Sequence, residues 1–238
     1  MSLTSEGFGT TAAPKAKNVI ERIVGVFFSP SETMQDVAAR PGWLVPLLIL
    51  IVAAGLSGFF LKDVIIQTQL EQLQNRPNMT QEQIEQAQPM MEKWTGIASI
   101  VAPLITTPLF YLIIAGVLMF IGNVILGGET RYNTLFSVTC WSGLITVLSS
   151  LINVPMMIKR EVMESATSLG LLLPPEQNKT TLYYFLSQID FFMIWWVIVL
   201  GFGVAAAYRF STRKAMTAVF VGWAIYVALA VLLKSIFS

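Results

Sequence analysis

Apolar and polar positions along this chain fall into long blocks. Five stretches stay apolar for about 20 residues or more: 43–61, 97–126, 134–158, 189–208 and 215–237. Each is long enough to cross roughly 30 Å of hydrocarbon as a helix. A segment in lipid has no water to satisfy its backbone, so helix is the form expected. The last two blocks flank the basic turn Arg209-Phe210-Ser211-Thr212-Arg213-Lys214, which closes a hairpin and marks one side of the membrane. The pattern predicts an all-α polytopic membrane protein, a bundle of five transmembrane helices.

The stretches before and between the blocks have a periodicity of their own. Val19, Ile20, Ile23, Val24, Phe27 and Phe28 share one helical face, with Lys17 and Arg22 beside it. That segment is too short to span, which predicts a helix lying in the membrane interface. Ser29-Pro30-Ser31-Glu32 has the order of a helix start, with Ser29 as N-cap and Pro30 at the first position. The helix it opens should stop before Pro41. Residues 17–40 are therefore expected as interfacial amphipathic helices, 1–16 as a disordered tail, and 41–238 as the membrane domain. Between spans one and two, Ile66, Leu70 and Leu73 repeat at helical spacing and Pro77-Asn78 breaks the pattern. Thr80 with Gln83 forms a capping-box signature, after which Ile84, Ala87, Met91 and Trp94 repeat again. Two readings stand: a helical hairpin with Leu70 and Leu73 facing Ile84 and Met91, or two solvated extensions of the spans.

Composition narrows the chemistry. The chain is 55% hydrophobic and 12% charged, with a net charge of +1. That balance gives no general attraction to nucleic acid, and none is expected as a partner. With no His and one Cys, Cys140, the chain cannot form an internal disulfide or a sulfur–imidazole metal set. It contains neither a Gly-x-Ser-x-Gly elbow nor a phosphate-binding loop ending in Lys-Ser/Thr. No cofactor and no catalytic role are expected. Residues 1–18 lack the apolar core of a signal peptide, so the first span is expected to remain as an uncleaved anchor.

The polar exceptions inside the spans are the candidate sites. Pro103 and Pro108 should kink or loosen span two. Ser142, Thr146, Ser149 and Asn153 fall on one face of span three. Such a stripe either hydrogen-bonds to other helices or lines a polar cavity. Asp190 opens span four, where an anion meets the positive end of the helix dipole. Span three ends on the same side with Lys159 and Arg160. An ion pair from Asp190 to either would lock the two spans together, or gate a polar space lined by Asn153 and Ser149. Gly201, Gly203, Ala205 and Ala207 give span four two small-residue pairs suited to close helix approach.

Five spans put the termini on opposite sides. Basic residues concentrate in the short turns (Arg131, and Arg209, Arg213 and Lys214) and in the stretch before span one (Lys15, Lys17, Arg22 and Arg40). This density predicts a cytoplasmic N-terminus and a C-terminus outside.

Three segments carry a family resemblance. FFSPSETMQDVAARPGWLVPLLIL resembles the entry segment of bacterial Yip1-domain proteins: an aromatic-x-Pro start, a short helix and a Pro-x-Trp-like boundary. GNVILGGETRYNTLFSVTCWSGLITVL resembles their junction between spans two and three. LYYFLSQIDFFMIWWVIVLGFGVA resembles their fourth span, with its Asp-aromatic-Phe-x-x-Trp entry. The resemblance runs from about residue 20 to the end, and the long polar loop 63–93 departs from the short-looped members. It implies five spans, a cytoplasmic N-terminus and, in a bacterium, the inner membrane. Eukaryotic relatives act in vesicle trafficking and bind small prenylated GTPases, and some bacterial relatives work with ABC-type exporters. No residue pattern here carries over a GTPase-binding site. The function expected is non-catalytic: membrane or protein interaction, accessory to a transport or trafficking complex. The expected partners are the lipid bilayer and a protein partner or second copy. The alternative is a small transporter or lipid-handling protein using the polar face of span three.

Overall fold

The computed structural model describes residues 16–76, 79–174 and 180–237. The tail 1–15 and the break at 77–78 lie outside the described residues. The chain forms α1 (Val19–Phe28), α2 (Pro30–Ala39), α3 (Leu44–Gln74), α4 (Gln81–Met119), α5 (Tyr132–Ser142), α6 (Leu144–Arg160), α7 (Thr181–Ser187), α8 (Phe191–Tyr208) and α9 (Thr212–Phe237). A π-helical turn, Phe120–Ile125, continues α4. Five segments are long and apolar enough to span a membrane: α3, α4 with its π turn, α5 with α6, α8 and α9.

The N-terminal helices depart from a purely interfacial pair. α1 does expose a stripe of Ile20, Val24 and Phe28, fit for the lipid boundary. Its other face, through Ile23 and Phe27, packs on the core. Helix α2 is drawn further in, with Thr33, Met34, Asp36 and Val37 buried against α5 and α8. Gly203 makes room for this packing. A Cβ there would lie 2.2 Å from Val138 Cγ1 and 3.3 Å from Met34 Sδ, so any larger residue in α8 would push α5 and α2 away. Trp141, Leu135 and Ile145 complete the buried centre.

Helices α3 and α4 outrun the bilayer. α3 has 31 residues, roughly 46 Å at 1.5 Å per residue, and runs through Lys62-Asp63 without a break. α4 stays helical through Pro89, Pro103 and Pro108. The loop between spans one and two is thus two extensions of the spanning helices, and these extensions also close on each other. Ile66, Leu70 and Ile84 are buried together, with Leu73, Met79 and Met91 packed around them. Thr80 and Gln83 make the capping box that starts α4. Trp94 repeats at the right interval yet points outward, 62% exposed.

Span three has a hitch at Gly143, where α5 passes into α6. The Tyr111 hydroxyl occupies the place a Cβ would need there, 2.4 Å away.

Candidate functional site

The polar residues of spans three and four meet where α6 ends and α8 begins. Beyond α6, Glu161 takes a left-handed conformation (φ 55°), and the chain turns back across the start of α8. Leu169 N–H donates to Ile189 C=O at 2.9 Å, and Phe191 N–H to Thr167 C=O at 3.3 Å. This short pairing sets Asp190 beside the loop hydroxyls.

Asp190 is the N-cap of α8. Its Oδ1 accepts from the backbone N–H groups of Phe192 at 2.8 Å and Met193 at 3.2 Å. Its Oδ2 accepts from Ser165 Oγ at 2.6 Å and from the Thr167 hydroxyl. Asn153, buried in α6, joins the same network. Its amide donates to Thr167 Oγ1 at 3.2 Å and Ser149 Oγ at 3.1 Å, and its carbonyl accepts from Ala166 N–H at 2.9 Å. The capping role of Asp190 is therefore accompanied by a loop clasp in place of an ion pair. Lys159 and Arg160 stay exposed, and the salt bridges among the described residues all lie in the N-terminal helices. A carboxylate with two backbone and two hydroxyl donors is already satisfied, so no cation is required to hold it.

The rest of the span-three stripe bonds largely within its own helix, and Thr146 also meets the Tyr111 hydroxyl of α4. Ser142 Oγ donates to Thr139 C=O at 2.9 Å, and Thr146 Oγ1 to Gly143 C=O at 2.7 Å. Ser142 is fully buried. Thr146, Ser149 and Asn153 line a cavity of about 350 Å³ with Ser57, Ser165 and Asp190. It shares Ser57, Thr146 and Ser150 with a second cavity of about 530 Å³ between α3, α4 and α6, walled by Thr106, Thr107 and Tyr111. Together they make a groove with a mostly apolar surface that ends at the Asp190 clasp; Ser57, Thr106, Thr146 and Ser150 along it donate to carbonyls of their own helices. Nearby, the Tyr183 phenol donates to Glu164. Burial and that carboxylate raise its pKa, which keeps the proton on the phenol.

A second polar cluster escaped the sequence pattern. Arg22 Nε donates to Asp36 Oδ2 at 2.7 Å, Arg40 also pairs with Asp36, and Lys17 N–H donates to Asp36 Oδ1 at 3.2 Å. The Arg22 guanidinium lies 5.7 Å from the Trp141 ring centroid, and Trp141 Nε1 donates to Gly42 C=O at 2.8 Å. Burial lowers the pKa of Arg22. The available signal was an acid at 36 on the same helical face as Thr33 and Val37, with basic residues at 17, 22 and 40. Among the described residues no group of His, Cys, Asp and Glu is placed to hold a metal ion.

Five apolar spans, packed around a core of large apolar side chains with buried Thr and Ser among them, define a polytopic α-helical integral membrane protein. The Yip1 domain model matches residues 24–233, and the chain belongs to the Yip1 domain family. No curated protein and no solved structure matches it.

Proposed function

We propose that this Yip1-domain protein works by interaction in the membrane, without catalysis, as an accessory to a transport or trafficking complex. The observation that carries this reading is the α3–α4 extension. It is a paired helical arm longer than the bilayer needs, closed by its own seam, with Met90 and Trp94 left exposed on its outside. The polar groups around Asp190 support it too, since they are spent on one another. The proposed topology places the N-terminus and the Arg209–Lys214 turn in the cytoplasm of a bacterial cell, with the arm and the C-terminus outside the inner membrane. The partner is a protein or a second copy of the chain.

Photo-crosslinking from positions 90 and 94 in intact membranes tests the interaction. A discrete crosslinked species that vanishes with Leu70→Asp is expected; uniform lipid adducts alone would remove the arm from the proposal. Single-cysteine labelling in a Cys140→Ser background tests the topology. An impermeant reagent that reaches position 212 but not position 82 in intact cells would invert it.

One observation favours a second reading. The groove between α3, α4 and α6, mostly apolar with Ser and Thr residues along it, is a place a small transporter or lipid-handling protein would use. Saturable flux in liposomes holding this protein alone would decide for that reading.

A further inference from the structure

A different cleft lies on the opposite flank, between α4 and α9 with α8 as its floor. It holds about 330 Å³ and is walled by apolar side chains, among them Ile113, Val117, Leu200 and Val219. Ile121, Ala218 and Gly222 also line a neighbouring cavity of about 550 Å³ that ends at Ser211, Arg213, Lys214 and Thr217. The two are one slot, apolar along the helices and basic at the turn between α8 and α9.

The π turn borders this slot through Ile121 and Ile125. Tyr208 fills the space beside Gly122, its ring carbon Cζ lying 2.1 Å from where a Cβ would be. The Tyr208 hydroxyl donates to Asn123 Oδ1 at 2.7 Å. That face of the turn is held against α8, and Ile121 and Ile125 of the same turn line the slot. π-helical turns of this kind recur at functional sites because the extra residue per turn displaces side chains from the regular pattern.

The charges at the slot's end are placed but not neutralised. Lys214 Nζ donates to Leu126 C=O at 3.2 Å and sits 3.9 Å from the Phe210 ring centroid. Those contacts fix the ammonium without giving it an anion. Arg213 is exposed, and no acid pairs with it among the described residues. Arg131 and Arg209 belong to the same end of the bundle, with Glu129 as the acid of the 127–131 turn. We propose that the slot binds one anionic phospholipid, its phosphate at Arg213 and Lys214 and an acyl chain along the α4–α9 cleft. Charge complementarity selects an anion, and the apolar continuation through Gly222 selects a lipid over free phosphate. Basic residues at the membrane surface attract anionic lipid on general grounds, whereas a slot adds a requirement on the chain.

Thermal unfolding of the full chain in mild detergent tests this. Added phosphatidylglycerol should raise Tm by about 3 °C or more, and phosphatidylcholine with the same acyl chains should not. Arg213→Gln with Lys214→Gln should weaken the apparent affinity about 30-fold. Gly222→Leu gives an independent arm. A Cβ at 222 meets Ile121 Cδ1 at an ordinary 3.7 Å, so the branch starts without a clash and extends toward the slot, which should abolish the lipid effect while leaving the lipid-free Tm in place. Equal shifts from both lipids, a matching shift from inorganic phosphate, or an undiminished phosphatidylglycerol effect in Gly222→Leu would each overturn the proposal. So would a detergent-stable dimer that Gly222→Leu converts to monomer without any lipid dependence, since a second copy would then fill the cleft.

Discussion

Span three and α9 make an instructive pair. Of the five spans, the one formed by α5 and α6 is the least apolar, yet 61% of its most apolar stretch is buried, against 11% for α9. α3, the most apolar, is only 22% buried. In water the most apolar helix would be innermost. In a bilayer the lipid tails are as apolar as leucine, so hydrophobicity gives no reason to leave them. Helices are drawn inward by hydroxyls that need shelter and by small residues that allow close packing. The stripe through Ser142 and Asn153 and the close approach at Gly203 mark the inner helices; the Leu and Ile faces of α9 mark an outer one.

That contrast ranks substitutions. The largest effect is expected from Asp36→Ala, which leaves Arg22 and Arg40 beside a buried site without their anion. A cost of about 3–5 kcal/mol is expected, read as loss of monodisperse protein in detergent. Asp190→Ala comes next. Four hydrogen bonds to a charged acceptor are lost, and about 1.5–3 kcal/mol is expected, with the 161–173 loop becoming protease-sensitive. Asp190→Asn combined with Arg160→Gln should be additive within about 0.5 kcal/mol; coupling beyond that would restore the ion pair the geometry lacks. Leu70→Asp removes a side chain whose burial contributes at most about 1.5–3 kcal/mol, but its effect should stay in the arm. Hydrogen exchange is expected to rise over 62–95 while the Tm of the spans holds, and a global loss would mean the arm belongs to the core. Smallest is Leu229→Ala on the exposed face of α9, expected within about 0.5 kcal/mol. A large loss there would break the inner–outer distinction.

The sequence made the five spans legible because a bilayer demands length and apolarity, and both can be counted. A seam of Leu70 and Leu73 against Ile84 and Met91 was one of two readings that period and capping box left open; Ile66, Leu70 and Ile84 are the residues buried there. Partners were harder to read. Asp190 invited a basic neighbour, and Lys159 and Arg160 were adjacent in topology. The donors turned out to be Ser165 and Thr167, small hydroxyls in a loop without periodicity. The stripe from Ser142 to Asn153 was open to contacts between helices or a polar cavity; Thr146 meets Tyr111 of α4, while Ser142 bonds its own preceding carbonyl, as a hydroxyl on a helix always can. The π turn left no mark of its own, because it depends on Tyr208 arriving from a helix 86 positions beyond Gly122.

The unbroken course of α3 has a mechanical side. From Lys62 to Gln74 the helix reaches roughly 18 Å further, with no hinge between the lipid-embedded part and the tip. Helices in bilayers adjust to membrane thickness by tilting. A tilt of about 10° would therefore swing the end of the arm by about 3 Å. A thinner or thicker membrane would thus be converted into a sideways displacement of the helix tip.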